Sequence, residues 1–242
     1  MADYEDALAE GLAALSQFFV NDGTLTETLH KVAVLSVTTC SADLAGITML
    51  VDGKPSTGVF TDPEAIEIDE AQYSSGSGPC LDAYRLQTIC HIPSTASDAT
   101  WQVFSRKALE HGIVTTLSLP LSARGEALGA LNLYSRTSGA FDEEVIQAQA
   151  MTFAHQASIV LANAQVYWDA HQLNENLSQA LRTRSTIDQA IGIVLSGGGR
   201  SPEEAFDVLV RASQRENRKL REIAEALVQR AIDRGQPEAA PS

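Results

Sequence analysis

The sequence predicts an α+β protein: an antiparallel sheet flanked by helices, a long connecting helix, and a small three-helix bundle at the carboxyl end. Three observations carry this. Between residues 25 and 135, short apolar runs closed by turn signals alternate with helical patterns, the rhythm of a layered α+β domain. From Asp142 to Ser196 there is no proline, and Gly192 is the single glycine, so one helix can run throughout, on the order of 80 Å at ~1.5 Å per residue. From Leu177 to Arg230 three helical periodicities follow one another.

Taken in order, Tyr4 to Val20 reads as a helix with Leu8, Leu12, Leu15 and Phe19 on one face, broken at Asn21-Asp22-Gly23. Thr24 or Thr26 caps a second helix running to about Thr39. Ala45 to Val51 is a buried strand ending at the turn Asp52-Gly53-Lys54-Pro55, and Thr57 to Thr61 a second strand. Asp62 to Gln72 is mildly helical, Ser74 to Pro79 a flexible loop and candidate ligand lid, and Cys80 to Leu86 one or two helical turns. Thr88 to Ile92 is a strand closed by Pro93. Ser97-Asp98 opens a helix that turns Trp101, Phe104, Ala108 and Leu109 inward and ends at Gly112. Ile113 to Leu121 and Ala127 to Ser135 pair through Arg124-Gly125, and the glycine inside the second run marks a central strand closely approached by a neighbouring backbone. Asp142 opens the long helix, with Glu143 and Glu144 at its positive end.

In the carboxyl part, the first helix carries Leu177, Leu181, Ile187, Ile191 and Val194 as a buried stripe and stops at Gly197-Gly198-Gly199. The second opens on Ser201-Pro202-Glu203-Glu204, where the serine, the proline and the second glutamate fit the N-cap, first-turn and capping-box positions. Its stripe is Ala205, Phe206, Leu209 and Val210; Ala190, Phe206, Leu209, Leu220 and Ile223 are expected core. Arg211 to Arg221 holds five bases and one acid, whereas the chain as a whole is −14. A basic knot on an acidic protein is the electrostatic footprint of a nucleic-acid contact, and also what a solvated helix face looks like.

The blocks TRSTIDQAIGIVL, SPEEAFDVLVRASQ and NRKLREIAEALV resemble an ANTAR domain, the RNA-binding output domain of bacterial transcription antitermination regulators. That resemblance implies a three-helix bundle that binds paired stem-loops in a leader transcript. The blocks GSGPCLDAYR, LSLPLSARGEALGALNLYS and AFDEE, with the Trp101/Phe104 helix between them, resemble a GAF domain, a sensor module often joined to ANTAR. This implies a central antiparallel sheet and often a ligand pocket; it is silent on the ligand. The expected organisation is an N-terminal helix (1–24), a GAF-like sensor (25–170), the connecting helix (142–196), an ANTAR-like unit (174–234) and a disordered tail (235–242).

For the RNA contact, Arg215, Arg218, Lys219 and Arg221 are expected on phosphates. Ser213, Gln214 and Asn217 suit base edges or ribose hydroxyls. Arg211 serves either purpose or pairs with Asp207, and Arg184 faces either the RNA or a helix seam. The seam follows from a heptad with Ile159, Val166, Leu173, Ala180, Ile187 and Val194 at d, and a mixed a row including Asn163 and Leu177. It reads as a weak parallel coiled coil and hence a homodimer, with an amphipathic helix on its own domain as the plainer alternative. Candidate sensor groups are Cys80, at a helix N-terminus where a thiolate would be stabilised, Asp82 and Cys90. Cys80 with Cys90 raises the alternative of a thiol-dependent enzyme like the free methionine sulfoxide reductases of GAF type; Cys90-His91 raises bilin attachment. Against both stands the usual role of a free cysteine as a small buried hydrophobe.

The histidines and acids form no spaced metal set, and no GxSxG, HExxH or P-loop pattern occurs, so no catalysis is expected. No apolar run approaches ~20 residues. The N-terminus lacks a signal-peptide pattern, and three cysteines without metal spacing suit a reducing cytoplasm. The function expected is a cytoplasmic, homodimeric RNA-binding regulator with a small molecule, redox state or partner as input; a dimeric protein-interaction module is the third reading.

Overall fold

The computed structural model describes residues 2–17, 24–51, 54–198 and 201–235. Two compact units divide the chain, residues 1–169 and 170–242.

The first unit opens with α1 (Ala2–Ser16), whose Leu15 is buried and whose Leu8 and Leu12 pack beside it. The expected continuation through Phe19 to the Asn21-Asp22-Gly23 break lies outside the described residues, as do the Asp52-Gly53 turn, Gly199 and the tail beyond Gly235. Helix α2 (Leu25–Thr39) is capped by Thr24: its hydroxyl accepts from the Glu27 amide while the Glu27 carboxylate accepts from the Thr24 amide. Such reciprocal satisfaction of two orphan donors decides between the two candidate caps.

Strands β1 (Leu44–Val51) and β2 (Lys54–Phe60) form a hairpin, followed by α3 (Pro63–Ser75) and α4 (Pro79–Leu86). Helix α3 overruns its expected end by three residues, because Gly76 supplies the left-handed C-cap (φ 69°). The anticipated Ser74–Pro79 loop therefore shrinks to its second half. Next come β3 (Cys90–Ile92) and α5 (Gln102–Glu110). The Asp98 carboxylate accepts from the Thr100 and Trp101 amides and the Ser105 hydroxyl ahead of α5. Leu109, expected inside, is 44% exposed, while Phe104 and Ala108 are buried.

Strands β4 (Thr115–Ala123) and β5 (Glu126–Ser135) meet at Arg124-Gly125, both at positive φ (56° and 82°). Two left-handed residues match the right-handed twist of the paired strands. The sheet order is β2-β1-β5-β4-β3, antiparallel throughout, which puts β5 at the centre. A Cβ built on Gly129 would lie 2.0 Å from the Thr48 carbonyl oxygen, so the glycine permits the approach of β1.

Alternation along the strands sorts the two faces. Ile47, Leu117, Leu119, Leu121, Leu131 and Leu133 join α1, α2 and the start of α6 (Glu144–Ser196) in one apolar core. On the opposite side, Ile68, Phe104, Ile113 and Tyr134 make a smaller core beneath α3 and α5. The same face carries Thr48, Ser118 and Asn132, all buried and polar.

The second unit contains the later part of α6, α7 (Pro202–Glu216) and α8 (Leu220–Gly235). Ala190, Leu209, Ile223 and Ala224 are its buried centre, with Ile187, Ile191, Val194 and Leu220 against them. Three expected core residues stand outside: Phe206 is 39% exposed, Leu177 57% and Leu181 60%.

Candidate functional site

In the second unit, Ser201 and Glu204 form the capping box that fixes the start of α7. Its end is set by Asn217 in the left-handed conformation (φ 50°), and the Ser213 hydroxyl donates to the Arg218 carbonyl. The Ser213 hydroxyl, expected to read bases, is thus engaged in building the α7–α8 corner, while Asn217 shapes it through its backbone and stays exposed. The basic knot is also partly neutralised. Arg215 pairs with Glu216 (3.4 Å), and Arg218 with Glu216 (3.5 Å) and Glu222 (3.6 Å). The Asp207–Arg211 pair does not form among the described residues; Arg211, Gln214 and Lys219 stay exposed.

Arg184 and Arg221 behave differently. They converge on one groove of about 630 Å³ whose apolar floor includes Ala180, Ile187, Ile191 and Phe206. Asp188 and uncharged polar groups of α6 complete its wall, and neither arginine has an ion pair among the described residues. Phe206 is the sole aromatic residue of positions 170–242. Of the seam residues, Ile159 (40%), Val166 (56%), Leu173 (69%) and Leu177 (57%) are exposed. Asn163 is exposed and accepts from Arg124, whereas Ile187 packs on its own bundle.

In the first unit, the expected sensor residues lie within electrostatic reach of one another: the Asp82 charge opposes ionisation of Cys90, and Cys90 opposes that of Cys80. The Asp82 carboxylate accepts from the Trp101 indole (2.9 Å) and lies 3.8 Å from Arg85. Cys40, Cys80 and Cys90 are all buried and free. Burial pushes the Cys40 and Cys80 thiols up to about 12 and the Cys90 thiol up to about 11. The expectation of a thiolate at the α4 N-terminus is therefore reversed: desolvation outweighs the helix dipole. His91 lies on edge strand β3, its Nδ1 3.2 Å from the Gln147 amide and its Nε2 3.4 Å from Asp142; burial lowers its basicity. No metal-type cluster occurs among the described residues.

What the sequence did not single out is a carboxylate. Asp69, wholly buried on α3, accepts from Gln72 (2.7 Å), Asn132 (3.2 Å), Tyr134 (2.6 Å) and Thr57 (3.0 Å). Burial raises it to about 6, against the opposing pull of those four donors. Tyr73 Oη lies 2.8 Å from Thr48 Oγ1 and 2.9 Å from Thr57 Oγ1, and the Cys80 thiol donates to Thr48 (3.0 Å). The Cys80 amide donates to Gln72, over which Gly78 packs too closely for a Cβ.

Comparison with known proteins matches the architecture. The chain superposes on a free methionine-R-sulfoxide reductase from Neisseria meningitidis in complex with its substrate, at 12% identity and TM-score 0.52, covering 68% of this chain and 91% of that one. It also superposes on the GAF domain of a phosphoenolpyruvate-protein phosphotransferase from Coxiella burnetii, at 17% identity and TM-score 0.50, over 67% of this chain and 96% of that one. Such identities speak for the fold alone. No curated protein matches in sequence. The GAF domain model matches residues 22–162, more than half the chain, and the ANTAR domain model residues 175–228. With the antiparallel sheet under its helices on one side of residue 170 and the helical bundle on the other, the chain belongs to the GAF domain family and carries an ANTAR domain after it.

Proposed function

We propose that this protein is an RNA-binding regulator of transcription antitermination, in which the GAF domain controls an ANTAR domain that grips stem-loops in a leader transcript. The observation that carries this is the groove that Arg184 and Arg221, both without an ion pair among the described residues, line together with the exposed Phe206. RNA loops offer unstacked bases beside phosphates, and an aromatic face between guanidinium groups suits that combination. Lys219 and Arg211 extend the positive surface, while Arg215 and Arg218 bind phosphate only after releasing Glu216 and Glu222. The stripe of Ile159, Val166, Leu173 and Leu177 supports a homodimer, and a small molecule acting on the sensor unit supplies the input, all in the cytoplasm.

The test is retention of a hairpin panel by the full chain across a salt series. Loop-dependent binding that weakens with salt is expected, and Phe206→Ala should reduce binding to hairpins more than to blunt duplex. Absence of any hairpin retention at low salt, with and without cell extract of small molecules, would remove the reading. A thiol enzyme is disfavoured by the burial of all three sulfurs.

A further inference from the structure

With Asp69 ionised, the buried network around it runs in one direction. Ser118 donates to Asn132 Oδ1 (3.0 Å), which fixes the Asn132 amide with its two hydrogens toward Asp69 and Thr48 (3.2 and 3.1 Å). Thr48 Oγ1 also accepts from the Cys80 thiol (3.0 Å), so both its lone pairs are taken and its own proton must go to Tyr73. Tyr73 then donates to Thr57, and Thr57 to Asp69 Oδ2 (3.0 Å). With Asp69 ionised, a single file of hydrogen bonds runs from the thiol through three hydroxyls to the carboxylate.

Among the described residues no cation pairs with that carboxylate. From its own helix Asp69 faces Tyr73, from β5 Tyr134, and from α4 Cys80, all three acidic groups whose ionisation its charge opposes. Strands β1 and β2 bring Gly46 and the Thr57 hydroxyl against it. On the far side of α3, Lys107 and His111 pair with Glu67 instead. Thr57 and Tyr73, at the middle of the file, are half-buried.

We propose that the sensor unit binds a proton at Asp69 and reports it by reversing this file. A proton from solvent adds to Oδ2, and Asp69 then donates to Thr57, Thr57 to Tyr73, Tyr73 to Thr48, and Thr48 to the Cys80 sulfur. No other group changes charge, and the three remaining donors keep Oδ1. The thiol turns from donor to acceptor, and the buried charge between α3 and the sheet disappears. Burial raises Asp69 to about 6, against the pull of its four donors.

Infrared difference spectra of the full chain over a pH series test it. A buried carboxylic-acid band should appear as pH falls through about 6, and the S–H band of Cys80, identified with Cys80→Ala, should shift over the same titration. Asp69→Asn should abolish both changes. Thr57→Val, which cuts the file but leaves Asp69 three donors, should keep the carboxyl titration and lose the thiol shift. A carboxyl titrating in the ordinary range near 4, a still S–H band during a normal titration, or a thiol that follows pH in Thr57→Val would each overturn the proposal.

Discussion

At the scale of the residue, charge counts less than whether a charge is already engaged. Arg184 and Arg221 have no ion pair among the described residues, while Arg215 and Arg218 lean on Glu216 and Glu222. Each free arginine that meets a phosphate releases counterions, so Arg184→Ala and Arg221→Ala should each flatten the log–log salt slope of RNA binding by about 0.7–0.9. Arg215→Ala should change it much less; equal losses at all three positions, in filter-binding titrations, would contradict this ordering. Sequence alone gave the basic cluster, because charge is written in composition, but gave no sign of which members were neutralised. Phe206 misled for a related reason: its spacing beside Leu209 fits a buried stripe, yet the side chain ends at the groove. Asp69 was invisible because its partners come from α3, β2 and β5, up to 65 positions away. The thiols carry a second prediction. With Cys40, Cys80 and Cys90 buried, a disulfide reagent should titrate none of them rapidly in the native chain and all three after denaturation.

Elements whose signals are local were legible in detail. The capping box of α7, the Arg124-Gly125 hairpin and the Gly129 approach each depend on neighbours in sequence or on one close backbone, whereas at α2 the sequence left Thr24 and Thr26 both open. Ser201→Ala should lower stability by about 1 kcal/mol in chemical denaturation, since it removes the hydroxyl that satisfies the Glu204 amide. Gly129→Ala should do more damage, about 1–3 kcal/mol or above, because the added methyl meets backbone and not a movable side chain. Boundaries were less legible where a cap lay beyond the expected end, as with Gly76 after α3. Along α6, exposed leucines at 173 and 177 are costly in water and favour a covering surface. Leu173→Glu with Leu177→Glu should convert a dimer to a monomer in sedimentation velocity; a wild-type monomer at micromolar concentration would end the seam proposal.

For the whole molecule, the acidic balance and the buried acids set how conditions act. A net charge of −14 opposes polyanion binding away from the basic cluster between Arg211 and Arg221, so added salt should weaken RNA binding through lost counterion release while easing repulsion within the body. The three thiols are raised above their ordinary value of 9.0, so their contribution is whole below that pH and disappears as pH climbs through 11 to 12. Melting temperature should accordingly decline above about pH 9, and decline less in Cys40→Ala with Cys90→Ala. Trp101 has a practical consequence of its own. One of only two tryptophans in the chain, it ties its indole nitrogen to Asp82 on α4. Any compound that lifts α4 must break that tie and rewet the ring. With Trp168 replaced by phenylalanine, the colour of ultraviolet emission becomes a label-free gauge of α4, suited to screening metabolite libraries for compounds that displace it.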